Sequence, residues 1–333
     1  MTSKTPKVAV ITRTKDRSLL LERAIQSVQN QTMGDFVQVI LNDGGDKEIV
    51  DNLVEKYKTL INGRVKVIHN DTPTGHAPAL NKAIRSVDSE YVAVHDDDDT
   101  WDGDFLKATI DYAEERRAKG VITVVDIVEE SIKNGVIIKH KQGRGLEPVK
   151  GVVSLYDQCL VNYATPITFL YHRSVYDAIG GYNDDFEVAE DWDFTLRFLL
   201  QEDIHSLITE NALSFYHHRI DSTGAEQNSI FIDGGTRFDL HINKVANYYL
   251  REELKTGSLG LGYMIASVRN IRGQMAQQSD VLNGRINDSV KRELHYIADG
   301  IKEYVDNSNH RETRVILENT LRSKLTKAIK RHD

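Results

Sequence analysis

A single cysteine, Cys159, in 333 residues leaves the chain with no internal disulfide and no thiolate cluster for a structural metal. That scarcity fits a reducing, intracellular compartment, and Cys159 reads as a small buried apolar residue rather than a nucleophile. Long apolar runs are missing too. The longest, LGLGYMIASV at 259–268, is about half of what a bilayer span needs. The N-terminal MTSKTPKVAVIT is basic, but its apolar run is too short for the core of a signal peptide, so no targeting or spanning segment is expected. Cations are outnumbered: 42 Lys and Arg against 50 Asp and Glu give a net charge of −8, which argues against a nucleic-acid partner. No Gly-x-x-x-x-Gly-Lys-Ser/Thr phosphate loop, internal repeat or low-complexity tract occurs.

What remains is a globular composition, 40% hydrophobic and 28% charged, long enough for one large domain plus an extension or for two domains. The first hundred residues alternate in type. KVAVIT (7–12), VQVILND (37–43), VKVIHN (65–70) and YVAVHD (91–96) read as buried strands. LLLERAIQSVQNQ (19–31), KEIVDNLVEKY (47–57) and APALNKAIRSV (77–87) carry the apolar spacing of helical faces. Strands alternating with helices predict right-handed crossovers and a mostly parallel sheet flanked by helices. Later, TPITFLYHRSVYDAIGGYNDDF (165–186) reads as a strand, a short helix and a Gly-Gly turn, and EVAEDWDFTLRFLLQE (187–202) as a helix with Glu190 and Asp191 at its start.

From about residue 239 the character changes. Residues 240–333 hold 16 Lys and Arg against 11 Asp and Glu, net +5, leaving 26 against 39, net −13, for the rest. The second of three helical patterns there has apolar residues at Leu294, Ile297, Ile301 and Tyr304 or Val305, and the third at Leu317, Leu321, Leu325 and Ile329. An acidic α/β body (1–238) with a mildly basic helical C-terminal extension (239–333) is the expected organisation.

In open sheets of this kind, ligands bind at the carboxyl ends of the strands. Those ends carry Thr12 and Arg13, Asn42 and Asp43, Asn70 and Asp71, and the tetrad Asp96, Asp97, Asp98 and Asp99 followed by Trp101. Capping one helix accounts for one aspartate and leaves three, so a positive partner is expected at the tetrad. A hard cation such as Mn2+ or Mg2+, held by one or two carboxylates plus substrate phosphates, meets that requirement. Acidic residues at a helix N-terminus are favoured by its dipole, and that is the bland account of Glu190 and Asp191.

Five ordered pieces then carry a resemblance: VAVITRTKDRSLLLERAIQSVQNQT, VILNDGGD, YVAVHDDDDTW, FLYHRSVYDAIGGYNDDF and EDWDFTLR. From about residue 7 to 222 the chain resembles a family-2 glycosyltransferase of the GT-A (Rossmann-like) fold. The resemblance implies transfer of a sugar, with inversion, from a nucleoside diphosphate sugar, most commonly a UDP-sugar, to a hydroxyl of a surface polysaccharide, glycolipid or lipid-linked glycan acceptor. It makes Asp191 the general base and has Glu190 orient a substrate. Asp43 becomes a contact to the nucleotide base, with Thr12 and Arg13 on the loop lining the same pocket. Asp96 and Asp98 become the Asp-x-Asp pair, Asp98 on the metal and Asp96 nearer the ribose, with Asp97 between them. His76 is a candidate diphosphate contact and Asn81 a candidate sugar contact. Of the tandem His217 and His218, His218 is the one expected to reach the metal. Trp192 reads equally as a sugar-stacking wall or as core.

The family's usual Tyr-Asn-Arg after the first strand is replaced by TRTKDR. Competing readings are a metal-dependent nucleotidyltransferase and a catalytically silent scaffold acting through its helical tail. The absent phosphate loop argues against the first, and the presence of Asp98 and Asp191 against the second. The C-terminal helices suit packing or homo-oligomerisation, or a basic face laid on an anionic membrane, at the inner face of which a cytoplasmic enzyme would meet a lipid-linked acceptor.

Overall fold

The computed structural model describes residues 5–219, 222, 224–228 and 236–307. In chain order the elements are β1 (Val8–Thr14), α1 (Ser18–Gln29), β2 (Phe36–Asp43), α2 (Lys47–Lys56), α3 (Lys58–Ile61), β3 (Val65–Asn70), α4 (His76–Arg85), β4 (Tyr91–Val94), β5 (Thr100–Trp101) and α5 (Phe105–Arg116). There follow β6 (Gly120–Thr123), β7 (Val125–Lys133), β8 (Val136–Arg144), α6 (Leu155–Leu160), β9 (Phe169–His172), α7 (Arg173–Ile179), α8 (Glu190–Leu199), β10 (Ile204–Leu207), β11 (Ser214–Arg219), α9 (Thr236–Thr256) and α10 (Leu261–Asn307). They form two compact units, Met1–Val268 and Arg269–Asp333.

The first unit is built on a seven-stranded sheet of order β10-β6-β9-β4-β1-β2-β3. β1 lies parallel between β2 and β4, and its residues Val8 to Ile11 are fully buried, as a β-branched run covered on both faces must be. The alternation read from the sequence is present: Leu20, Leu21, Ala24, Ile25 and Val28 of α1 all face the core. Ala77, Ala83, Tyr171, Phe194 and Phe198 fill one side of the sheet, and Val10, Trp101, Phe105 and Leu106 the other. The chain runs outward from β1 to β3 and returns to β4 on β1's other side. The carboxyl ends of β1 and β4 therefore flank the point where the winding reverses, where the crevice of such sheets opens.

Two features go beyond the expected alternation. β9 enters antiparallel between β4 and β6, which makes the sheet mixed. A second sheet of order β5-β11-β7-β8 stands beside it. Its β7–β8 hairpin turns at Asn134 (φ 53°) and Gly135 (φ 74°), the left-handed pair that matches strand twist in a two-residue hairpin.

The body also runs past residue 238. Ile242, Val245 and Ala246 of α9 and Leu261, Ile265 and Val268 of α10 pack with Trp192 and Leu196 of α8. The apolar stretch at 259–268 thus gives Leu261, Ile265 and Val268 to the core and leaves Leu259 and Tyr263 exposed, and among the described residues no helix is long and apolar enough to cross a membrane. In the second unit, α10 exposes Ile271, Met275, Leu282 and Ile286. The side chains of Leu294, Ile297, Ile301, Tyr304 and Val305, and the whole third helical pattern, lie outside the described residues.

Candidate active site

One residue, the buried His95, separates β4 from the tetrad, and its backbone N–H still donates to Ile11 O at 2.9 Å. Burial lowers the imidazole pKa to about 4, so the ring is neutral. Its Nδ1–H donates to Asp96 O at 2.9 Å, and Nε2 accepts from Ser27 Oγ at 3.2 Å. Ser27 Oγ in turn accepts from Trp101 N at 2.8 Å. Trp101 stacks on Phe105 at 4.0 Å and donates its indole N–H to Ile167 O. The tryptophan after the tetrad is therefore an anchor in the core that fixes the loop's exit.

Four consecutive aspartates persist because each has a different environment. Asp97 accepts from Thr14 Oγ1 at 2.7 Å and Arg17 Nη1 at 3.1 Å. Asp98 Oδ2 accepts from Arg17 Nη1 at 3.3 Å and Arg219 Nη2 at 2.5 Å. Those two guanidinium charges hold its pKa low against its burial. Asp99 Oδ1 accepts from His217 N at 2.9 Å, while burial and then the charges of Asp98 and Asp96 push its pKa well above the usual carboxylate range. Asp96 is half-buried, and no described donor reaches its side chain. Burial first, then Asp98, Asp97 and Asp191, raise it to about 7, with His76 opposing. The positive partner expected from the sequence is in part the protein's own: Arg17, Arg219 and Arg23, whose Nη2 donates to Asp98 O.

Arg219 comes from β11 and is fully buried. Its neighbour on the same strand face, His217, bonds Glu130 Oε2 through Nδ1 at 2.7 Å and Thr100 Oγ1 through Nε2 at 2.9 Å. Glu130 also takes Arg23 Nη1 on both oxygens, and His217 and Arg23 bring its pKa down to about 2 against burial. His218 points to the other face of β11, edge-on to Tyr216 at 4.8 Å, with Glu129 and Arg219 as its charged neighbours. The expected metal ligand is thus not brought to Asp98; alternation along the strand gives that place to Arg219.

At the ends of β1 to β3 the expected contacts turn out to be staples. Thr12 is buried inside the sheet and accepts from Gln38 Nε2 at 3.1 Å, so it does not line the crevice. Asp43 is fully buried: Oδ1 accepts from Asn70 Nδ2, Thr74 N and Thr74 Oγ1, and Oδ2 from Arg13 Nε and Nη2 and from Gly75 N. These donors and Arg13 outweigh burial and lower its pKa to about 2. No lone pair is left for a nucleotide base. Asn81 is saturated as well, accepting from Tyr176 OH at 2.8 Å and Tyr182 N at 3.0 Å and donating to Tyr182 O and Asp184 Oδ1, both at 2.8 Å. It staples the Gly-Gly turn instead of facing a sugar. A Cβ on Gly181 (φ +84°) would lie 2.7 Å from Asn81 Oδ1, which explains the glycine.

Arg13 and His76 do meet at the crevice. Arg13 Nη1 donates to His76 Nε2 at 3.2 Å, and His76 Nδ1 lies 3.3 Å from Glu190 Oε1. Burial lowers the His76 pKa, but Glu190 outweighs it and the net shift is upward. Glu190 and Asp191 open α8 behind Ala189, a non-glycine residue at φ 66°. Trp192 is core, donating Nε1–H to Gln158 O at 2.7 Å. Asp191 is half-buried and accepts from Asn162 Nδ2 at 2.8 Å. Burial and Glu190 raise its pKa to about 7, with the Trp192 amide and Asn162 opposing. Cys159 is buried, its thiol pushed up to about 12, and is inert as expected.

Sequence reasoning missed Arg17, Arg23, Glu130, Asn162 and Arg219. For Glu130 a signal existed: Asn134-Gly135 between β-branched runs announces the hairpin whose first strand carries it.

The crevice thus collects Asp96, Asp98 and Asp191, a His76–Glu190 pair and a guanidinium cluster at the carboxyl ends of β1 and β4. Among solved structures, S. aureus TarS 1-349 in complex with UDP-GlcNAc shares the fold with a TM-score of 0.54 and 19% identity, over 72% of this chain and 65% of that one. A mannosyltransferase of Pyrobaculum calidifontis in complex with GDP-Man and Mn2+ gives a TM-score of 0.50 and 15% identity, over 80% of this chain and 70% of that one. In sequence, the uncharacterized glycosyltransferase YwdF of Bacillus subtilis is 24% identical over 57% of this chain and 67% of its own length. A PGL/p-HBAD biosynthesis glycosyltransferase of Mycobacterium bovis is 23% identical over 58% of this chain and 69% of its own. The chain spans less than two thirds of the TarS chain. The pattern of glycosyl transferase family 2 matches residues 9–180, more than half of the sequence, and the chain belongs to that family.

Proposed function

We propose that this protein is an inverting glycosyltransferase that moves a sugar from a nucleoside diphosphate sugar to a hydroxyl of a surface glycan or glycolipid. The observation that carries the reading is Asp191: a half-buried carboxylate at the reversal point of the sheet, facing Asp96, with its pKa raised to about 7. A general base works best near the operating pH. Asp191 takes the proton of the acceptor hydroxyl as that oxygen bonds to the anomeric carbon. The sugar–phosphate bond breaks on the opposite face, and its electron pair leaves with the nucleoside diphosphate. Glu190, fixed by His76, orients a substrate beside it. The complexes of TarS with UDP-GlcNAc and of the mannosyltransferase with GDP-Man and Mn2+ support a nucleotide-sugar donor, UDP-linked in the first instance.

The donor set suits a divalent cation. Asp98 Oδ1 and both oxygens of Asp96 accept from no described group, and each carboxylate disfavours the other's charge. Asp96 and Asp98 would hold Mn2+ or Mg2+ with the donor's diphosphate, and the ion would supply Lewis-acid charge to the leaving group. Arg17 and Arg219 keep Asp98 ionised for that purpose. In the second unit, exposed Ile271, Met275, Leu282 and Ile286 recur at an 11-residue period (271 to 282, 275 to 286), which suits a self-associating helix, and a second copy of this chain is the partner proposed there.

Titration calorimetry with UDP and GDP, with and without Mn2+, on the wild type and Asp98→Asn tests the reading. Metal-dependent binding of one nucleotide that is lost in the variant supports it, and no binding of either nucleotide under any condition refutes the donor site.

A further inference from the structure

Asn162, in the loop between α6 and β9, is the single side-chain donor to Asp191 among the described residues, and its orientation is forced. The backbone N–H of Tyr163 can only donate, and it reaches Gln158 Oε1 at 3.0 Å. Gln158 is fully buried, so its other end, Nε2, faces Asn162 Oδ1 at 2.8 Å and Thr195 Oγ1 at 2.7 Å. With Oδ1 committed to accepting, Asn162 has only N–H to offer Asp191. Gln158 is itself clamped to the base helix, because its carbonyl accepts from Trp192 Nε1. α6, this loop and the first turn of α8 thus form one polar chain whose direction is set by a backbone amide.

We propose that Asn162 is the positioning residue of the transfer: held one way round by Gln158, it always donates to Asp191 Oδ2, and so makes Oδ1 the oxygen that receives the acceptor's proton. The inference rests on the reading of Asp191 as general base. It explains why the base needs a partner that is neutral and unable to accept. An aspartate there would repel, and a lysine would keep Asp191 ionised and too weak a base. The other charged groups around Asp191 are Glu190 on its own helix, His76 at the start of α4, and Asp96 after β4; Tyr182, nearby, is held neutral by burial. Burial and then Glu190 raise the Asp191 pKa, and Asn162 is the side-chain group that opposes them.

Selective 13C labelling of aspartate carboxyls tests this without a substrate. The Asp191 resonance is identified by its absence from Asp191→Asn, and its titration is followed in the wild type, Asn162→Ala and Asn162→Asp. Asn162→Asp keeps the bond from Gln158 and therefore the loop. The expected result is an upward displacement of the Asp191 midpoint in Asn162→Ala, on the order of one pH unit, and a larger one in Asn162→Asp. Unchanged midpoints in both folded variants overturn the proposal. The underlying reading is tested separately by release of nucleotide from UDP-GlcNAc or GDP-Man with acceptor extracts. If Asp191→Asn turns over like the wild type, Asp191 is not the base, whatever Asn162 does to its titration. If Asp191→Asn is inactive and Asn162→Ala retains the wild-type rate and pH profile, Asp191 stands and Asn162 falls.

Discussion

Replacing Asn81 by alanine separates a sugar-binding amide from a structural one. The side chain makes four hydrogen bonds, to the Tyr176 hydroxyl, the Tyr182 amide and carbonyl, and Asp184. Alanine leaves the Tyr176 hydroxyl and the Tyr182 N–H buried and unpaired, and each such orphan costs about 1–3 kcal/mol. The expected loss is about 2–6 kcal/mol, a large part of the roughly 5–15 kcal/mol that holds a domain together. Asn81→Asp keeps the two accepting bonds but loses both donations and faces Asp184, so it falls between alanine and the wild type. Guanidinium denaturation followed by tryptophan fluorescence measures the change, because Trp192 lies on the helix that the Gly-Gly turn leads into. Nucleotide binding by the folded fraction should persist in both variants. If Asn81→Ala costs less than about 1 kcal/mol while abolishing donor binding, Asn81 contacts the sugar directly and its assignment as a staple is wrong.

Other outcomes follow from the structure. Asp191→Asn should keep nucleotide affinity and lose about 10²–10⁴-fold in turnover. In the wild type, turnover should rise with pH through about 7, because the base works deprotonated; a profile flat from pH 5.5 to 8.5 would contradict this. Ala189→Gly relieves a left-handed conformation that costs a non-glycine residue about 1–2 kcal/mol, and after the entropic cost of glycine it should stabilise the protein by about 0.5–1 kcal/mol in thermal denaturation. Cys159 should react with a thiol reagent only on unfolding, so reaction at native pH within minutes would show that the helix α6 opens. Leu282→Glu combined with Ile286→Glu should reduce the mass measured by light scattering if α10 joins two copies; an unchanged mass above that of one chain would locate the contact elsewhere.

The strands and helices up to β4 were legible because burial on both faces of β1, and on one face of α1 and α4, writes its period directly into the residue order. The second sheet was legible only at its turn, Asn134-Gly135, since β8 is largely exposed and its KHKQ stretch carries no alternation. Residue types at the strand ends were legible, but their duties were not. Asp43 and Asn81 look like ligand contacts until their hydrogen-bonding capacity is counted, and that count needs Thr74, Tyr176 and Tyr182 in place. His218 failed for a simpler reason: a tandem pair on a strand sends one ring to each side, and the residue after it shares the side of the first. The partners of the tetrad could not be read at all, because Arg219 joins Asp98 from 121 positions away.

The bond between Asp98 and Arg219 has a bearing on how this chain can change over time. Loss of the aspartate leaves the buried Arg219 guanidinium with Glu130, at 3.9 Å, as its remaining carboxylate, so a part of the roughly 3–5 kcal/mol that breaking a buried pair on one side costs is expected. Position 98 is thus held in place by folding as well as by chemistry, and the two positions are expected to drift together or not at all. A descendant that lost its activity would keep its acidic motif long after the selection for that activity had gone. Asp191, whose side-chain donor comes from a half-buried loop asparagine, has no such protection and would be the first to go.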